Sequence, residues 1–63
     1  MPIIVVKMFD GKTIEQKRRL AHSLTGAVTE SLGVEPQSVR VLIEEYPREN
    51  WAIAGTLVTD RSG

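Results

Sequence analysis

From Ile3 to Phe9 the chain is apolar at every position except Lys7, and Ile3, Ile4, Val5 and Val6 are all β-branched. A near-continuous run of this kind predicts a strand covered on both faces, since a half-exposed strand would alternate. Asp10-Gly11 ends it. Further on, Leu20, Ala21, Leu24, Ala27, Val28 and Leu32 recur at three-and-four spacing, while Lys17, Arg18, Arg19, His22 and Glu30 fall mainly outside that stripe. This is the period of an amphipathic helix. Thr13 and Gln16 fit a capping box, Gly33 suits a left-handed residue past the last turn, and Pro36 forbids continuation. The helix is therefore expected from Ile14 to about Leu32, roughly five turns. Residues 39–45, apolar at Val39 and from Val41 to Ile43, predict a second strand, so strand, helix and strand make a β-α-β unit with parallel strands and a right-handed crossover. Residues 47–50 carry turn chemistry. The tail, residues 51–59, holds too many small side chains for a solid core element and suits a loop or short hairpin laid on a neighbouring chain.

Length sharpens this α+β picture. The 63 residues make one domain, 1–63, and a chain so short buries only about 60% of the surface its unfolded form exposes. It has no cysteine for disulfides and no His/Cys cluster for a structural metal. Two strands and one helix also leave one face of the sheet bare, so another copy is expected to supply the missing layer. The eight basic and eight acidic residues balance, which argues against nucleic acid or an anionic membrane as partner. The first apolar run is too short for a signal sequence or a bilayer span, so a soluble, cytoplasmic protein is expected.

Standard catalytic motifs are missing: no Gly-rich phosphate loop, metal-ligand spacing or nucleophile elbow occurs. His22 and the run Lys17-Arg18-Arg19 read as a solvated helix face. Arg40 is different, because it interrupts an apolar strand and a guanidinium there calls for an anion. Its partner is either a glutamate or the carboxylate or oxyanion of a ligand. Trp51, just after a turn, reads as an interface anchor or a pocket wall. Pro2 raises a separate possibility, since aminopeptidases remove Met1 ahead of a small residue and would leave a secondary amine on a rigid ring. An α-amino group has a reference pKa of about 7.7 to 8.0, and apolar burial or a nearby cation lowers it. One unit of lowering brings the unprotonated share at neutral pH from about a tenth to about half, suited to proton transfer in both directions.

Pro2 at the head of a strand, DGKTIEQK before the helix, SVRVLIEE in the second strand and ENWAIAG after it stand in a specific order along almost the whole chain. The sequence resembles the small-subunit 4-oxalocrotonate tautomerases of the tautomerase superfamily. That resemblance implies a β-α-β tautomerase fold with a short C-terminal hairpin, assembled as a homohexamer built as a trimer of dimers, with a mixed hexamer as the variant. It implies an isomerase that needs no cofactor and converts 2-hydroxymuconate to 2-oxo-3-hexenedioate in the breakdown of catechol-type aromatics. Pro2 would be the proton-transferring base, and Arg40, from a neighbouring subunit, would bind a substrate carboxylate and the developing enolate oxygen. Trp51 would wall the apolar pocket, with Phe9 and Lys12 also at the substrate.

Lys12 departs from the family pattern, in which many members have an arginine that grips the second carboxylate. Lysine keeps the charge and loses the planar fork. A substrate with one carboxylate, such as the enol of an aryl pyruvate, is the alternative, and a flexible surface lysine is the plain reading. Phe9 and Ile53 occupy the places where halide-removing, water-adding relatives hold an arginine and a water-activating carboxylate, which argues against hydrolytic chemistry. If Met1 is retained, the Pro2 nitrogen is an amide without basicity, and the chain would be a non-catalytic subunit of a mixed assembly.

Overall fold

The structure is a computed structural model and describes residues 1–61. Strand β1 (Ile3–Phe9) leads through a turn into helix α1 (Ile14–Leu32), and the chain returns through a one-turn 3₁₀ helix at Pro36–Ser38 to strand β2 (Arg40–Tyr46). The two strands are parallel, with Ile3 opposite Arg40 and Phe9 opposite Tyr46. Strand β2 lies one residue later than the sequence pattern suggested, because Val39 is taken up in closing the 3₁₀ turn, its N–H donating to the Pro36 carbonyl at 3.1 Å. A second 3₁₀ turn, Arg48–Asn50, precedes a two-residue hairpin of β3 (Ala52–Ile53) and β4 (Thr56–Leu57), followed by a third such turn at Val58–Asp60.

The helix begins and ends where local chemistry dictates. The Thr13 hydroxyl accepts from the Gln16 N–H at 3.1 Å and the Thr13 N–H donates to Gln16 Oε1 at 2.9 Å, closing a reciprocal capping box. At the other end Gly33 adopts φ 67°, a left-handed conformation that suits glycine, and its N–H donates to the Thr29 carbonyl. Lys17 and Glu45 tie helix to sheet through an ion pair of 2.6 Å. Since residues of a strand alternate between faces, Ile4, Val6, Met8, Val41 and Ile43 share the helix side with Glu45. Leu20, Leu24 and Val28 are half-buried, as expected, whereas Ala27 and Leu32 are exposed. Ala27 sits beside the half-buried stripe of Leu20, Ala21, Leu24, Thr25, Val28 and Thr29 rather than on it, and Leu32 lies in the last turn of a helix of about 28 Å that overhangs strands of about 23 Å.

The opposite face of the sheet carries Ile3, Val5, Lys7 and Phe9 from β1 and Arg40, Leu42, Glu44 and Tyr46 from β2. Nothing among the described residues covers its middle: Ile3 is 60% exposed, Val5 and Leu42 each 47%. Among the described residues Val39 alone is buried. The surface area of 4869 Å² exceeds the roughly 4,000 Å² of a compact monomer of 7.0 kDa. The radius of gyration, 15.0 Å, likewise exceeds the roughly 11 Å of a compact chain of this length. No helix among the described residues is long and apolar enough to cross a membrane.

Candidate functional site

The sequence-selected residues lie at two ends of the sheet. At the first end, the Pro2 carbonyl accepts the Arg40 N–H at 3.0 Å, which extends the ladder by one bond and fixes the chain at the head of β1. The proline needs no ladder donor there, so its missing N–H costs nothing. Arg40 Nη1 donates to the Gln37 carbonyl at 2.6 Å and to the Val39 carbonyl at 3.3 Å. Those acceptors come from the end of the 3₁₀ turn, where carbonyls lack helical partners. No carboxylate pairs with Arg40 among the described residues, so the chain itself does not supply the glutamate partner considered for it. With both bonds made by Nη1, Nη2 and Nε remain for an anion.

At the second end an aromatic cluster forms. The Phe9 ring lies 4.5 Å from the Trp51 ring, tilted by 48°, and Tyr46 meets Trp51 edge-on at 6.0 Å. Tyr46 is itself oriented by its hydroxyl, which donates to Glu44 Oε1 at 3.2 Å. Arg48 places its guanidinium 4.7 Å over the Phe9 ring. An open cleft of about 480 Å³ runs past Phe9, Asp10, Gly11, Lys12, Arg48 and Trp51. Gly11, at φ 110°, makes the turn that directs Lys12 to this cleft.

Phe9, Lys12 and Trp51 are thus brought together, and Pro2 and Arg40 are brought together, but the pairs are separated by the length of β1. Six residue steps at about 3.3 Å put roughly 20 Å between the two ends. One chain cannot apply both groups to one small molecule. Ile53 is 46% exposed in the hairpin and His22 lies on the solvated helix side. Sequence reasoning missed Arg48, which it counted as turn chemistry. The available signal was a cation three residues ahead of the single tryptophan, in a segment that Pro47 opens.

The sequence pattern of the family described as Tautomerase enzyme matches residues 2–61, which takes in both ends of the sheet and the hairpin. The chain belongs to the tautomerase family. Relatives agree across their length. A 2-hydroxymuconate tautomerase of Bacillus subtilis (strain 168) is 42% identical over 60 residues, covering 95% of this chain and 97% of that protein. The crystal structure of YwhB, a homologue of 4-oxalocrotonate tautomerase, superposes with a TM-score of 0.92 at 39% identity and covers 97% of this chain and all of its own. A heterohexamer 4-oxalocrotonate tautomerase from Chloroflexus aurantiacus has a chain of the same fold, with a TM-score of 0.88, 30% identity and coverage of 95% and 97%. This tautomerase is accordingly an isomerase, and its β-α-β core with a C-terminal hairpin is the tautomerase fold.

Proposed function

We propose that this tautomerase, acting as a single domain of residues 1–63, interconverts enol and keto forms of a 2-hydroxymuconate-type dienol dicarboxylate, with Pro2 as the proton carrier once Met1 is removed. The observation that carries this reading is the position of Pro2, fixed at the head of β1 by the Arg40 N–H and next to a bare apolar sheet face that calls for a second copy, whose own Arg40 keeps Nη2 and Nε open to an anion. The amine takes the proton of the 2-hydroxyl, whose O–H bond breaks as the C2 carbonyl forms. It then returns a proton to C5 as the diene contracts to the 3-ene. Reactant and product are isomers, so no oxidant or reductant is consumed. Arg40 of a neighbouring copy holds the C1 carboxylate and the oxygen on which charge develops, the kind of preorganised stabilisation that contributes most to such steps. Trp51 and Phe9 give the polyene an apolar wall, and Lys12 stands at the far carboxylate.

The 20 Å separation supports an assembly in which sites form between chains, and a homohexamer built as a trimer of dimers fits a chain with one bare sheet face. Two other readings have specific support. Lys12 in place of a forked arginine favours a monocarboxylate enol, and the Chloroflexus relative favours a mixed hexamer in which this chain could lack the base. The breakdown of catechol-type aromatics in the cytoplasm is the setting that the proposed substrate implies.

The test compares protein with Met1 removed against protein that keeps it, each verified by intact mass, in a spectrophotometric assay of 2-hydroxymuconate ketonisation. Processed protein is expected to turn over about 10²- to 10⁴-fold faster, the usual contribution of a general base. Equal rates would remove Pro2 from the mechanism. Absence of ketonisation in processed protein that converts the enol of phenylpyruvate would move the assignment to the monocarboxylate.

A further inference from the structure

We propose that Arg48, held on Phe9 in the cleft it shares with Lys12, is the residue that binds the distal carboxylate of a dicarboxylate ligand and so selects diacids over monoacids. The inference deepens the reading of this tautomerase as one that acts on enol carboxylates. It starts from how the guanidinium is held. The Arg48 guanidinium carbon lies 4.7 Å over the Phe9 ring centroid, and no side-chain hydrogen bond among the described residues uses its N–H edges. Those edges are what a carboxylate needs for two parallel hydrogen bonds. Arg48 forms no ion pair among the described residues, so the fork is not already occupied.

The surroundings fit the same ligand. Lys12 brings a second positive charge to the cleft and Asp10 one negative, and neither forms an ion pair among the described residues, so the lining is net cationic. Phe9 and Trp51 supply an apolar floor suited to an unsaturated carbon chain. Lys12 stands where the family commonly has an arginine, and it keeps charge without the fork. Arg48 restores the fork from another element, and its contact with the Phe9 ring spares part of the ordering cost that a free arginine side chain would incur.

The decisive experiment uses the assembled protein and two unreactive six-carbon acids, adipate and hexanoate, titrated by calorimetry and followed by emission of Trp51, the single tryptophan. The native protein is expected to prefer adipate by about 10- to 100-fold, the scale of a charge-assisted hydrogen-bonded pair. Arg48→Gln should bring that preference below about threefold, Arg48→Lys should fall between, and Lys12→Gln should cost less than Arg48→Gln. Unchanged preference in Arg48→Gln, or a loss seen in Lys12→Gln alone, would overturn the proposal. The same variants are then assayed on 2-hydroxymuconate and on a monocarboxylate enol, where Arg48→Gln should lower the ratio of kcat/KM values in parallel. If neither enol is turned over while the adipate preference still depends on Arg48, the diacid site stands and the tautomerase substrate is the part that fails.

Discussion

Arg40 begins β2 with its guanidinium leaning on two backbone carbonyls and with no carboxylate beside it among the described residues. Its contribution to folding should therefore be small, since exposed substitutions away from special features usually change stability by less than about 0.5 kcal/mol. Its contribution to turnover should be large. Arg40→Ala is expected to lower kcat/KM on the dienol diacid by about 10²- to 10³-fold, the range for loss of one oxyanion donor, while the thermal midpoint stays close to native. A variant with native turnover would show that Arg40 serves only the turn it leans on. At this scale the sequence was legible wherever a residue type conflicted with its local pattern. Pro2 opens a strand and Arg40 breaks an apolar run. Arg48 conflicts with nothing in a polar turn, and its significance comes from Phe9, which is far away in the chain.

Helix α1 was legible down to its ends because caps are written in four or five adjacent residues. Thr13→Ala removes the hydroxyl that accepts the Gln16 N–H and should cost about 1 kcal/mol, read as a lower denaturation midpoint with turnover per folded site unchanged. The hairpin was legible as a small-residue tail suited to a loop or short hairpin, without the positions of its strands. Its two-residue loop, Ala54-Gly55, has φ values of 52° and 82°, the pair of positive angles that a type I′ turn requires. Gly55 adopts this freely, whereas Ala54 crowds its Cβ against the backbone. Ala54→Asn keeps the turn and relieves that crowding, so a gain of about 1 kcal/mol is expected in thermal or chemical denaturation. No gain would mean that the loop changes conformation in the assembled protein.

The whole molecule is a half-built object. Both strands of the β1–β2 sheet are edge strands, one face exposes Ile3, Val5 and Leu42, and an apolar groove of about 350 Å³ runs beside Val6, Met8 and Leu20. Bare edges and apolar faces of this kind call for cover by another chain. Leu42→Glu puts an unpaired charge in the middle of the bare face and should dissociate the assembly, as read by sedimentation velocity. Turnover should be lost with it, because Pro2 and the Trp51 cleft lie at opposite ends of one chain. A dissociated variant that keeps full activity would show that one chain suffices.

The order strand, helix, strand, the caps of α1 and the candidates Pro2, Arg40 and Trp51 were determined by the sequence, because each rests on neighbours within a few positions, while Lys12 became a candidate only through the family resemblance. Tertiary structure alone decided which residues meet. Parallel pairing sets Ile3 opposite Arg40 and therefore puts Pro2 beside Arg40, while the same register carries Phe9 to the far end, under Arg48 and against Trp51. Such contacts join residues tens of positions apart, and no local pattern of hydrophobic and polar side chains encodes them. The physical reason is that a helix turn or a cap is closed by adjacent groups, whereas a cleft is closed by the register between strands.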